Sequence, residues 1–423
     1  MRFKTLSEWL RWQETLHPSE IELGLERVSR VFHQLCPEPL PFTVVTVAGT
    51  NGKGSSIAAL EAMLRAGGYR VGAYTSPHLL RYNERIRLDG EEVTDTALVE
   101  AFERVDQARG DTSLTYFEFG TLAALRIFAD VTPDIVLLEV GLGGRLDAVN
   151  IVDPDVALIT AIGIDHTAWL GADRETIAGE KAGILRPHRP VVCSDPAPPA
   201  AILDQARALG APLYQLGREF DYQLTGDSWR WHCRVPTASE QTDLLRPLLG
   251  GEHQYRNIAG ALMVLALLQG AFPLERRQID AGLARLQLPG RLQLIPGEVP
   301  LLLDVAHNPD GVAQLAAALR AEPVAGRNWA IVGMMADKDL RGALTPLLPL
   351  IDGWFPVNLS AVPRAASADR LAGLLNELGA GTVVPCTDLP QALQQARAAA
   401  RHGDRIVVFG SFYTVAQALA EPL

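Results

Sequence analysis

Residues 47–55, VAGTNGKGS, place three glycines and a lysine between an apolar run and a stretch of helical spacing. The run before them, residues 43–48 (TVVTVA), is continuous and β-branched, as a strand buried on both faces requires. Residues 56–66 (SIAALEAMLRA) then space their apolar side chains as a helix does and stop at Gly67-Gly68. Glycines in such a loop let backbone N–H groups approach phosphate oxygens. The helix N-terminus adds partial positive charge, and Lys53 can reach the outer phosphates. Ser55 or Ser56 offers a hydroxyl to Mg²⁺ or to a phosphate. The pattern departs twice from GxxxxGK[ST]: Val47 stands at the first glycine, and Gly54 separates the lysine from the serine. A plain glycine-rich turn is the alternative. The strand–loop–helix context favours a nucleoside triphosphate held by Asn51, Gly52, Lys53, Gly54 and Ser55.

Other groups sit where open α/β sheets bind ligands, at the ends of apolar strands. Glu139 closes residues 134–140 (DIVLLEV) and precedes the flexible Gly141-Leu142-Gly143-Gly144. Asp304 ends the LLLDV run, and His307-Asn308-Pro309 makes the following turn. Taken as bare residues, His166 is a loop histidine, Ser76 a turn residue before proline, Arg291 a linker charge and Lys181 an exposed helix lysine beside Glu180. Tyr116 and Phe117 read as part of a helix core.

The elements that must position these groups alternate between strand and helix. Further strands are expected at residues 71–74, 134–140 and 155–162, with a helix at 117–129. A later series has strands at 300–306, 329–333, 353–357 and 405–410, with helices at 311–319, 340–350, 368–378 and 389–400. The fold class is α/β: a P-loop domain with a mostly parallel sheet and helices on both faces, then a smaller C-terminal doubly wound α/β domain. The turn-rich stretch around Pro289-Gly290 and Pro296-Gly297 sets the expected division at 1–290 and 291–423. Residues 217–243, polar and Trp-containing, read as strands or loops attached to the first domain.

A chain of 423 residues is long enough for two or three domains. With 48% hydrophobic and 21% charged residues it is neither disordered nor a coiled coil. The net charge is -11 and no Lys/Arg run occurs, so neither nucleic acid nor a membrane surface is an expected partner. The four cysteines form no CxxC pair, which argues against a zinc ribbon and implies no disulfides. Residues 1–14 lack the apolar core of a secretory signal. The uncharged stretch 258–274, 17 residues, reads as a buried helix rather than a membrane span. A cytoplasmic monomer is the expectation.

GTNGKGS resembles the phosphate loop of the folylpolyglutamate synthase family, relatives of the muramyl peptide ligases. Further matches follow in order: 76–79 (SPHL), 139–147 (EVGLGGRLD), 165–167 (DHT), 180–184 (EKAGI) and 304–309 (DVAHNP). They run over both expected domains and are most similar to the bacterial bifunctional dihydrofolate synthase/folylpolyglutamate synthases. The resemblance implies an ATP-dependent acid–amino-acid ligase. It would join L-glutamate to 7,8-dihydropteroate and add further glutamates to reduced folates, through an acyl phosphate.

The same resemblance implies two Mg²⁺ ions, the first on Ser76 and Glu139 and the second on His166. It places Asn257, Arg291 and Asp304 on ATP across a domain cleft, with His307 near the nucleotide. Lys181 becomes an N6-carboxylysine formed with CO₂, and Lys53, Lys181 and His166 form the catalytic set. Pterin contacts fall on Thr115-Tyr116-Phe117-Glu118, on Leu146-Asp147-Ala148, and on Glu22-Leu23-Gly24, where the family often has Asp in place of Glu22.

Three other readings compete. A folylpolyglutamate synthase without dihydrofolate synthase activity uses the same chemistry. A P-loop nucleotide switch or motor leaves Glu139, His166 and DVAHNP without a role. A nicotinamide dehydrogenase needs G-x-G-x-x-G, but its third glycine falls on Leu146.

Overall fold

The computed structural model describes residues 2–19, 21–36, 39–226, 228–234, 241–247 and 249–421. They divide into two compact units. The first comprises residues 1–162, 170–247 and 255–286; the second comprises 163–169, 248–254 and 287–423.

Among the described residues the first unit carries an eight-stranded sheet. Its strands are β1 (Thr43–Ala48), β2 (Val71–Tyr74), β3 (Ile86–Leu88), β4 (Glu91–Glu92), β5 (Ile135–Glu139), β6 (Val156–Ile159), β7 (Val191–Cys193) and β8 (Leu213–Gln215). They lie in the order β4-β3-β2-β5-β1-β6-β7-β8. All pairs are parallel except β3 with β2 and with β4. β1 is buried along nearly its whole length, which is why its sequence shows no alternation. One face packs on helices such as Tyr116–Val131, whose Phe119, Leu122 and Phe128 are buried with Val44, Val136 and Leu138. The helix Lys53–Ala66 buries Ile57, Leu60, Met63 and Leu64 completely, each contributing about 1.5–3 kcal/mol. The sheet and its helices agree with the expected α/β class.

The helix expected at 56–66 begins three residues earlier, at Lys53, because Gly52 at φ +97 turns the chain directly into it. Strands β3, β4, β7 and β8 are two or three residues long, too short to show a period in the sequence. In residues 217–243 the structure has β9 (Phe220–Thr225), β10 (Ser228–Cys233) and the start of β11 (Gln241–Leu245), an antiparallel sheet in the order β11-β10-β9. Residues 227 and 235–240 of that segment lie outside the described residues. The indole of the buried Trp231 donates to the Ala259 carbonyl at 3.2 Å, tying this sheet to the helix His253–Leu268. That helix takes in most of the uncharged stretch. Among the described residues no helix is long and apolar enough to cross a membrane.

The second unit's sheet contains β12 (Gln293–Ile295), β13 (Leu301–Asp304), β14 (Asn328–Val332), β15 (Gly353–Pro356), β16 (Thr382–Val383) and β17 (Arg405–Phe409). Its order is β12-β13-β17-β14-β15-β16, parallel apart from β12. The helix expected at 340–350 is α-helical only over Leu340–Leu344. Pro346, without an N–H, turns the continuation into the 3₁₀ segment Thr345–Leu347.

Candidate active site

Sheet register brings the first group of candidates together. Val47 of β1 is level with Glu139 of β5, and Tyr74 of β2 is level with Leu138. The ends of three neighbouring strands therefore open toward one edge, where the strand order reverses direction around β1. The phosphate loop is pinned there by Thr50 and Asn51, whose backbone N–H groups donate to the Ala161 carbonyl at 2.8 and 3.3 Å. Lys53 folds over the loop and its Nζ donates to the carbonyls of Gly49 (3.0 Å) and Thr50 (3.3 Å). A Cβ on Gly52 would strike the Asn257 side-chain amide, so the loop and Asn257 are in direct contact. Ser55 and Ser56 are buried, and the Ser56 hydroxyl donates to the Asn257 carbonyl at 3.4 Å.

Glu139 is buried, and its Oε2 accepts from the Ser76 backbone N–H at 3.2 Å. A Cβ on Gly54 would lie 3.9 Å from the same oxygen, so the carboxylate faces the first turn of the phosphate-loop helix. A buried carboxylate next to a serine residue supplies hard oxygen donors of the kind Mg²⁺ uses in nucleotide sites, where phosphate and water complete its shell. Among the described residues no three His, Cys, Asp or Glu side chains gather into a metal cage.

Lys181 lies in the last turn of the helix Arg174–Ala182 and is buried, not exposed as the bare sequence implies. Glu180 is turned to Arg145 instead, whose Nη2 donates at 2.9 Å. The burial follows from glycine. A Cβ on Gly144 would lie 2.9 Å from the Glu180 carbonyl and 3.0 Å from Lys181 Cα, so the loop after Glu139 packs backbone to backbone on this helix. Gly144→Ala is expected to destabilise the chain by about 1–3 kcal/mol through overpacking. Thermal denaturation checks this, and an unchanged midpoint would show that the loop has room. Asp147, in the same loop, is fully buried. Burial pushes its carboxyl up to about 6, against the backbone N–H groups of Leu142, Val149 and Gly141 and the charge of Lys181.

The segments expected to touch a pterin also converge. Thr115 caps the helix Tyr116–Val131 and shares a capping box with Glu118. Buried Glu118 accepts from Arg27 Nη2 at 3.0 Å, and Arg27 also pairs with the Glu22 carboxylate and donates to its carbonyl at 3.0 Å. Glu22 and Glu118 are thus joined through one guanidinium. The Phe117 ring rests on Gly141, with a Cβ there 2.6 Å from the ring, and lies 5.9 Å from the Tyr74 ring. The 3₁₀ segment Ala148–Ile151 is capped by Asp147. Leu23, Gly24 and Leu146 are partly exposed.

His166, Arg291 and Asp304 belong to the second unit, because residues 163–169 cluster with it. His166 adopts a left-handed φ of +52. Beside it Asp165 receives Lys338 Nζ at 2.5 Å, Asn308 Nδ2 at 3.1 Å and His307 Nε2 at 3.4 Å. Burial would raise the Asp165 carboxyl, but His307, Lys338 and His166 outweigh it and hold it well below the usual carboxylate range. Asn308 caps the helix Pro309–Ala321 through Gly311 N (2.8 Å), and Pro309 starts that helix without needing an N–H donor. Asp304 accepts from Leu292 N (2.9 Å) and Ala306 N (2.8 Å), and burial raises its carboxyl although Arg291 opposes this. The Arg291 guanidinium stacks 5.1 Å above the Phe412 ring.

Arg27 and Lys338 were not singled out in the sequence. Lys338 carried a signal, since Asp337-Lys338-Asp339 follows closely on an apolar strand. Arg27 carried none, as Glu118 is 91 positions away.

Residues 47–265 match the Mur ligase middle domain, and residues 290–412 match the glutamate ligase domain of Mur ligases. The chain is 44% identical over 415 residues to the dihydrofolate synthase/folylpolyglutamate synthase of Escherichia coli K12, covering 98% of this chain and 94% of that one. The structure of E. coli FolC in complex with DHPP and ADP is similar at a TM-score of 0.91 and 43% identity, covering 98% of this chain and 97% of that chain. A crystal structure of a bifunctional folylpolyglutamate synthase/dihydrofolate synthase with Mn, AMPPNP and L-glutamate bound is similar at a TM-score of 0.89 and 43% identity, covering 99% and 98%. Likeness at this level extends through both units, and with it the motif resemblance becomes a statement about the whole molecule: the chain belongs to the dihydrofolate synthase/folylpolyglutamate synthase family of Mur-type ligases.

Proposed function

We propose that this chain is an ATP-dependent ligase that joins L-glutamate to 7,8-dihydropteroate and adds further glutamates to reduced folates. The observation that carries this reading is Glu139, a buried strand-end carboxylate facing both Gly54 of the phosphate loop and Ser76, in a chain alike over nearly its whole length to enzymes bearing both activities in their names.

Amide formation at neutral pH needs an activated carboxylate. The ATP γ-phosphoryl group passes to a carboxylate oxygen, releasing ADP, and the glutamate amine then displaces phosphate. The first step brings like charges together, so fixed cations and oriented N–H groups decide its rate. In this reading Lys53 leaves its own loop carbonyls for the outer phosphates, while Asn51, Gly52, Gly54 and Ser55 cradle them. Asn257, Arg291 and Asp304 serve the same nucleotide, Arg291 as a second cation and Asp304 as a fixed acceptor. Ser76 and Glu139 hold one Mg²⁺ and His166 serves a second; bound, the ions supply positive charge to the phosphate oxygens. Thr115, Tyr116, Phe117, Glu118, Leu146, Asp147 and Ala148, with Glu22, Leu23 and Gly24, take the pterin, and Lys181 carries a carbamate. Residues 1–290 act as the ATP-binding ligase domain and 291–423 as its α/β partner. The protein works in the cytoplasm as a monomer on small molecules.

The test is mass spectrometry of products from dihydropteroate and from tetrahydrofolate, each with ATP and glutamate. Dihydrofolate from the first and lengthened glutamate tails from the second are expected. Extension of tetrahydrofolate without any dihydrofolate would favour the monofunctional synthase. ADP release independent of both glutamate and the folate substrate would instead mark a nucleotide switch.

A further inference from the structure

We propose that Arg85 is a specificity-determining residue that binds the α-carboxylate of the terminal glutamate on a reduced folate. That group is absent from dihydropteroate. The inference rests on the two-substrate reading above.

Other arginines of this region already have carboxylate partners. Arg87 pairs with Glu61 at 2.8 Å, Arg27 with Glu118 at 3.0 Å and Arg145 with Glu180 at 2.9 Å. Arg85 makes no ion pair among the described residues, although it is only partly exposed. The nearest carboxylate in sequence, Glu84, is committed to the backbone N–H groups of Leu79, Leu80 and Arg81 at 2.6, 2.6 and 2.7 Å. Yet Arg85 is held in place. Its Nε donates to His78 Nδ1 at 2.8 Å, and its guanidinium lies 5.3 Å from the Tyr82 ring and 5.6 Å from the Tyr116 ring. Engaging Nε and packing the group against two rings, themselves 5.7 Å apart, leaves the two terminal nitrogens as a fork. A planar fork of that kind matches a carboxylate through two parallel hydrogen bonds.

Its position suits a substrate that spans the site. The Arg85 carbonyl accepts from Thr75 N at 2.9 Å, next to Ser76 and hence to Glu139, while Tyr116 begins the segment read as pterin-binding. The carboxylate to be activated must reach the phosphate loop. In dihydropteroate it is the single carboxylate, attached to the aromatic ring. In a reduced folate it is the γ-carboxylate, and the α-carboxylate stays behind as a spectator beside the path. A cation there rewards the folate and does nothing for dihydropteroate.

The experiment compares Arg85→Ala with the native chain on tetrahydrofolate, on dihydropteroate, and on tetrahydropteroyl-4-aminobutyrate, which keeps the reacting carboxylate and lacks the α-carboxylate. KM for tetrahydrofolate should rise about ten- to a hundredfold, the scale of one lost charged hydrogen-bonding partner. KM for dihydropteroate should rise far less, so their ratio moves about tenfold or more. The native chain should already bind the 4-aminobutyrate compound poorly, and the substitution should add little to that loss. Arg85→Lys keeps the charge without the fork and should recover part of the tetrahydrofolate affinity. Equal rises for tetrahydrofolate and dihydropteroate, or a further full loss on the compound without the α-carboxylate, would overturn the assignment. If the native chain makes no dihydrofolate, the two-substrate reading fails by itself, and the 4-aminobutyrate comparison still decides on Arg85.

Discussion

Lys53→Ala is expected to lower ligation by about 10²- to 10³-fold or more, the scale found when one fixed stabiliser of transition-state charge is removed. The stability of the chain should be almost unaffected. Among the described residues the hydrogen bonds of Lys53 Nζ go to carbonyls of its own loop, at 3.0 and 3.3 Å, and the loop is held separately by Thr50 and Asn51. Turnover is read by ADP release in the presence of glutamate and dihydropteroate, and folding by the thermal midpoint. Near-native turnover in a folded variant would show that the phosphate loop is not where the nucleotide reacts.

Lys181→Ala should produce a loss of similar size, and a short carboxylic acid such as acetate should restore part of it. Carbamate formation adds CO₂ to the uncharged amine, forms an N–C bond and releases a proton, so a cation becomes an anion with two oxygens. Only the uncharged amine reacts with CO₂, as an ammonium has no free electron pair. Lys181 is 4% exposed, in a helix whose backbone is met directly by Gly144. A merely structural lysine would respond to the same substitution by losing stability, but added acetate would not bring activity back. A carbamate carbon signal from ¹³C-bicarbonate, absent in the variant, gives an independent reading. Full activity without acetate would remove Lys181 from the mechanism.

Much of the scaffold was legible because its signals are local. TVVTVA reads as a doubly buried strand from six adjacent residues, and Glu139 stands out as a charge closing an apolar run. Asn308-Pro309 spells a cap and a first helical turn in two positions. Lys181 shows where local reading stops. By itself it is an ordinary helix lysine, and only the approach of Gly144, 37 positions earlier in the chain, buries it. Arg27 and Arg85 were missed for the same reason. What distinguishes each is the presence or absence of a partner that folding brings from elsewhere.

The grouping of residues 163–169 with the second unit bears on how the protein is made. Asp165 meets Lys338 across 173 positions of sequence. At about 5–20 residues per second on the ribosome, Lys338 leaves the peptidyl centre about nine to thirty-five seconds after Asp165 does. During that interval Asp165, in the loop between β6 and β7, waits without Lys338 as its counter-ion. The second unit, conversely, cannot be produced complete from a message that begins at residue 287, because fourteen of its residues, 163–169 and 248–254, are encoded before that point. The two halves are separate as compact bodies and inseparable as products of translation.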